Sequence, residues 1–149
     1  MSAIQSEMVR IQSETLPYFD LNPSDLAKAY RPGKWNIRQL LFHIVDTETV
    51  MYDRIRRTIS NPGQVVWGWD QDAWATELQY DNRSLEVQKT IYTATRASIM
   101  ELADRFYDKL GTNPVIHSGD GKKTLKDLFD KVVWHNEHHL NQVSKAMRM

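Results

Sequence analysis

The chain has 149 residues, a length that suits one domain spanning 1–149 with a core of its own. Its 19 Lys+Arg balance 19 Asp+Glu, so no global field favours a polyanion and nucleic-acid binding is not expected. It has no Cys, which removes disulfides, thiolate metal sites and cysteine nucleophiles. No apolar run reaches the ~20 residues a membrane span needs, and the start MSAIQSEMVR lacks a secretory h-region, so a cytoplasmic location without membrane attachment is expected.

Helix breakers divide the chain. Proline stands at 17, 23, 32, 62 and 114 and glycine at 33, 63, 68, 111, 119 and 121, leaving breaker-free stretches at 1–16, 34–61, 69–110 and 122–149. A first helix is predicted over about 2–16. The second, about 36–60, opens with Asn36 and Gln39 in a capping-box pattern and carries the apolar stripe Ile37, Leu40, Ile44, Met51 and Ile55. The connection 61–83 is long for a bundle and has room for a short helix around Asp70–Leu78. A third helix, about 84–110, starts at Ser84 with Gly111 as its stop, and shows Leu85, Tyr92, Ile99, Ala103 and Phe106 on one side. After Pro114, VIHSGDGKK offers at most a hairpin-like loop. The last helix, about 124–147, opens on Thr124 and Asp127 and stripes Leu125, Leu128, Val132, Val143 and Ala146. No segment alternates apolar and polar residues at strand spacing. The expected architecture is all-α, a four-helix bundle with a long connection between helices two and three.

Histidines border two of these stripes. His135 and His139 are four apart, hence about 40° apart and one turn up, so both rings reach one cation; Gln142 lies beside them. His43 edges the stripe of the second helix, with Thr47 one turn on, and completes a three-imidazole set if helices two and four meet. Three nitrogens without a thiolate suit Zn, Ni, Fe or Cu rather than Mg or Ca, and three protein ligands leave one position open, as in catalytic zinc sites. A His pair at this spacing is also common as polar surface or as a hydrogen-bonded core edge. The segment is not a zincin motif: it reads HNEHH, and Glu137 is turned about 200° from His135.

Other residues leave alternatives open. Glu48 falls within the apolar stripe of the second helix, either paired with Arg96 across the bundle or reaching solvent at a helix edge, with Arg54 as a rival partner. The segment VVWGWDQDAWATELQY carries Trp67, Trp69 and Trp74 together with Asp70 and Asp72. It reads as a lid whose acids supply a fourth ligand or a general base, as a loop packed on the bundle with one Asp capping the short helix, or as a homodimer contact. RIRR at 54–57 and Lys122, Lys123 and Lys126 read as solvated helix faces, and His117 as exposed in its Gly-rich loop. Ser118 and Thr124 have no His–acid partner, and neither GxGxxG nor a P-loop is present.

Together KWNIRQLLFHIVDTE, DQDAWA and TLKDLFDKVVWHNEHHLNQ make the chain resemble the DinB/YfiT-like superfamily from Lys34 to Gln142. The most specific element is the His of helix two combined with HxxxH and a trailing Gln in helix four. The resemblance implies a four-helix bundle with a divalent cation, Zn or Ni, held by His43, His135 and His139. Some relatives are transferases or isomerases using a low-molecular-weight thiol such as bacillithiol or mycothiol; others have no assigned reaction. The expected function is a divalent-metal-dependent enzyme acting on a small molecule, either a thiol-dependent S-transferase or a metal-assisted hydrolase. Asp70, Asp72 and Gln142 are the candidates for catalytic work. The competing classes are a non-catalytic metal- or small-ligand-binding stress protein and a structural bundle whose His cluster is accidental.

Overall fold

A computed structural model describes all 149 residues. Four long helices form the bundle: α1 (Ala3–Thr15), α3 (Ile37–Ser60), α5 (Leu85–Phe106) and α6 (Leu125–Met147). A 3-10 turn (Leu16–Asp20) and the one-turn α2 (Pro23–Leu26) follow α1, while β1 (Val65–Val66) and α4 (Gln71–Glu77) occupy the long connection before α5. No helix is long and apolar enough to cross a membrane.

The helix starts follow from their caps. Asn36 Oδ1 accepts from Gln39 N at 2.9 Å while Gln39 Oε1 accepts from Asn36 N at 2.9 Å. Thr124 and Asp127 make the same reciprocal pair ahead of α6, and Ser84 Oγ accepts from Val87 N ahead of α5. A further box, Ser2 with Gln5, opens α1. Helix α5 stops at Phe106, short of Gly111, because the chain turns there to bring the Gly111 carbonyl onto Lys126 N at 3.0 Å. A Cβ on Gly111 would lie 2.3 Å from the Tyr107 carbonyl oxygen, so this close approach demands glycine.

The chain is not purely helical. Strands β2 (Pro114–His117) and β3 (Gly121–Thr124) form an antiparallel hairpin, and β1 adds in parallel to β2 with Val65 opposite Ile116. The hairpin falls where a hairpin-like loop is expected after Pro114, whereas two to four residues are too few for a period of two to stand out, so β1 carries no strand signal of its own. His117 is correspondingly not exposed as expected. Its side chain is 19% accessible, and Nδ1 accepts the backbone N–H groups of Gly119 at 3.0 Å and Asp120 at 2.9 Å, which fixes the hairpin turn.

Two apolar clusters fill the bundle. One gathers the first half of α3, the start of α5 and the end of α6 around Phe42, Tyr80, Tyr92 and Val143; the other gathers Met8, Met51, Ile55, Ile99 and Phe129. A buried polar layer lies between them. Arg96, fully buried, donates from Nε to Glu48 Oε1 at 2.5 Å and from Nη2 to Glu48 Oε2 at 3.0 Å. It also donates to the Met8 carbonyl at 3.0 Å and to Asn136 Oδ1 at 2.9 Å. Asn136 accepts from the Tyr92 hydroxyl at 2.7 Å and donates to Thr15 Oγ1 at 3.0 Å. Glu48 therefore pairs with Arg96 rather than reaching solvent. Burial alone would pull the Arg96 guanidinium down; the charge of Glu48 and its hydrogen bonds more than reverse this, so the guanidinium stays charged. Arg54, the rival partner, instead donates to the Trp67 carbonyl at 2.6 Å.

Candidate metal centre

Helices α3 and α6 pack along a shared seam, and the triad forms on it. His43 is 1% exposed; its Nε2 stands 3.0 Å from His135 Nε2, and Thr47 Oγ1 lies 3.4 Å from the same His135 nitrogen. The ring of His139 meets His43 edge-on at 4.6 Å between centroids and His135 at 4.4 Å. One nitrogen from each of the three rings lies within 4.8 Å of the others. Contact between α3 and α6 thus brings His43 to the His135/His139 pair, whose own spacing already placed them on one edge.

The electrostatics favour neutral rings. Burial first, then the neighbouring His139, holds His43 down at about 3, and burial with the surrounding His139, His43 and Lys131 holds His135 at about 2. Burial also lowers His139, against a hydrogen bond to Gln142 that raises it. His139 Nδ1 donates to Gln142 Oε1 at 2.7 Å, and an amide oxygen only accepts, so the Nε2 lone pair of His139 is free. Gln142 is itself steadied by donating Nε2–H to the Tyr30 hydroxyl at 3.3 Å.

These residues fit a divalent cation. Zn–N bonds of about 2.0–2.1 Å in a tetrahedral site set nitrogens about 3.3 Å apart, close to the separation between His43 and His135. Within the cluster, no carboxylate joins the three nitrogens. The one buried side-chain polar atom without a hydrogen-bond partner in the chain, His43 Nδ1, also belongs to this cluster.

The Trp-rich connection covers the triad. Trp69 stacks on His43 at 5.5 Å and Trp74 packs on Trp69 at 4.4 Å, while Trp35, just before α3, tilts against His43 at 4.9 Å. Trp67 remains 76% exposed. Asp70 is the N-cap of α4, its Oδ1 accepting from Ala73 N at 3.0 Å, the capping role foreseen for one of the two acids. Asp72 lines a cleft of about 390 Å³ with Lys34 and Trp35 on the loop side and His139 and Gln142 on the α6 side. Glu137 points away and joins Arg10 at 3.0 Å, while His138 stacks on Trp134 at 5.0 Å. Tyr30, Lys34 and Trp35 sit in an irregular loop whose approach to α6 carries no sequence period, so spacing could not announce them.

A sequence profile of the DinB superfamily, compared with the chain, matches residues 7–143. The chain belongs to the DinB superfamily. A relative from Oceanobacillus iheyensis, named "Putative metal-dependent hydrolase OB0413", is 31% identical over 128 residues, covering 85% of this chain and 73% of that protein. "Putative metal-dependent hydrolase YfiT" of Bacillus subtilis is 23% identical over 134 residues, covering 86% and 72%. The solved structure of YfiT, described as "a probable metal-dependent hydrolase with an unusual four-helix bundle topology", superposes with a TM-score of 0.85 at 18% identity, over 99% of this chain and 89% of that one. The fold of this DinB-superfamily chain is accordingly that four-helix bundle, here with a small three-stranded sheet.

Proposed function

We propose that the chain is a divalent-metal-dependent enzyme in which His43, His135 and His139 hold the ion, Zn or Ni, and the adjoining cleft receives a small-molecule substrate. The observation that carries this reading is the convergence of three neutral imidazole nitrogens within 4.8 Å beside that cleft, with no carboxylate among them. A cation of this kind supplies Lewis-acid chemistry, favouring the deprotonated form of water or a thiol and polarising a carbonyl.

The chain's own residues do the rest. Gln142 keeps the His139 proton on Nδ1, so that Nε2 stays a lone-pair donor. Trp35 and Trp69 press on the His43 ring and keep water from that side. In this reading Asp72, on the cleft wall and not used as a cap, takes a proton from an incoming nucleophile, and Lys34, which lines the same cleft, attracts a negatively charged substrate. The names of the relatives support a hydrolytic reaction, and the family resemblance supports transfer of a low-molecular-weight thiol to an electrophile; both chemistries use the same nucleophile-activating site.

The test is a panel on metal-loaded protein: small ester and amide substrates on one side, and thiols with electrophilic acceptors on the other. Turnover in either arm that disappears in His139→Ala supports the enzyme reading. Tight metal binding with no turnover in either arm replaces it with a metal-binding protein. Gln142→Leu is expected to leave the fold intact and weaken metal affinity by about 10–100-fold, read by competition with a chromogenic chelator. Unchanged affinity would mean that the Gln142–His139 bond does not set the ring.

A further inference from the structure

Arg54 carries a buried charge that the metal centre does not use. It is 9% exposed, and no carboxylate lies within 4.0 Å of its guanidinium, since every Arg–carboxylate pair of the chain involves another arginine. Its one hydrogen bond, to the Trp67 carbonyl, uses a single donor of the five a guanidinium offers. The contrast with Arg96, whose donors meet Glu48, Asn136 and the Met8 carbonyl, is direct.

Arg54 lines a second cavity, of about 140 Å³, between α3, the β2–β3 hairpin and α6. Lys123 and Lys131 line it as well, and neither is within 4.0 Å of a carboxylate, although the Lys131 ammonium also lies 4.4 Å over the Trp134 ring; Lys126 pairs with Asp108 at 3.5 Å. Two acids share the walls and are outnumbered there by the three cationic side chains. Asp127 Oδ2 accepts from Thr124 N at 2.9 Å in the cap of α6, and Asp120, 69% exposed, lies 3.8 Å from His117 Nδ1. That Nδ1 accepts two backbone N–H groups, which leaves Nε2 as the ring's donor. Burial lowers the Arg54 guanidinium, with Asp120 and Asp53 opposing from beyond ion-pair distance.

The geometry points to an oxyanion site: we propose that Arg54, with Lys123 and Lys131, binds a carboxylate or phosphate group of an anionic small molecule in this cavity. The space equals about five water volumes, enough for such a group and the atoms next to it. A planar fork of N–H donors suits either oxyanion in a bidentate manner. The site lies on the seam that carries the histidines. Arg54 is eleven residues beyond His43, hence about 20° round and about 16 Å along the same helix, and Lys131 is one turn before His135. It stands whether or not the histidines hold a metal.

The test uses the full chain stripped of metal, at low ionic strength, with inorganic phosphate and succinate as separate probes and the arginine Nε–H signals followed by NMR. A saturable shift of the Arg54 signal is expected with at least one probe, and the probe that binds tells phosphate from carboxylate. Arg54→Lys, which keeps the charge and loses the fork, is expected to weaken binding about tenfold or more with an unchanged circular-dichroism spectrum. Lys123→Ala combined with Lys131→Ala, away from the Trp67 contact, is expected to weaken it about threefold or more and serves equally if Arg54→Lys does not fold. No saturable shift with either probe overturns the proposal, and so does an affinity that neither variant changes.

Discussion

Glu48→Ala lowers the stability of the metal-free protein by about 3–5 kcal/mol, because it strands a fully buried guanidinium. For a chain of this length that is a fall in Tm of about 6–20 °C. Apolar neighbours cannot take over: Arg96 would keep the Met8 carbonyl and Asn136 as partners, both neutral, and lose the only opposite charge within reach. The loss is not a simple sum. Combining Glu48→Leu with Arg96→Met removes both charges, and the pair is expected to show a coupling energy of about 1–3 kcal/mol in a double-mutant cycle. Additive losses in urea denaturation would mean that the two side chains act independently, against the geometry. The consequence extends beyond stability. The same layer joins Met8 and Thr15 of α1, Glu48 of α3, Tyr92 and Arg96 of α5 and Asn136 of α6, and Asn136 is the residue next to His135. Register between α3 and α6 is set here, one layer from where the imidazoles of those two helices must meet.

His43→Ala and His139→Ala remove metal binding, with affinity expected to fall by at least about a hundredfold, more than for the hydrogen-bonded Gln142. The readout is thermal. A ligand bound only by the folded state adds about 2.7 kcal/mol at a hundred times its Kd, so the wild type gains several degrees in Tm on adding Zn or Ni and each variant gains almost nothing. His138→Ala is the control. Its ring stacks on Trp134 outside the three-nitrogen group, and the wild-type rise in Tm is expected to persist. A persistent rise in His43→Ala would place the ion elsewhere.

What could be read without coordinates divides along physical lines. Helix caps and the 3.6-residue period are local, so Asn36, Ser84 and Thr124 marked their helices, and His135 and His139 fell on one edge by spacing alone. His43 needed a contact between helices far apart in the chain, which no period encodes; the family resemblance supplied it. Glu48 and Arg96 stood out as charges on apolar stripes, yet nothing local chose Arg96 over Arg54, and the decision rests on the packing of α3 against α5, which brings two nitrogens of Arg96 onto the Glu48 carboxylate. The two acids of the connection separated only when α4 took Asp70 as its cap. Short strands, the His117 turn and the Tyr30–Trp35 loop depend on tertiary partners and left no periodic trace.

The most direct measurement is the metal stoichiometry of tag-free protein, stripped with a chelator, titrated with Zn or Ni and analysed for bound element after gel filtration. One equivalent per chain in the wild type, with none retained by His43→Ala, His135→Ala or His139→Ala, is the predicted result. Wild-type protein that retains no metal, or variants that retain a full equivalent, would contradict the assignment of the three histidines to a cation.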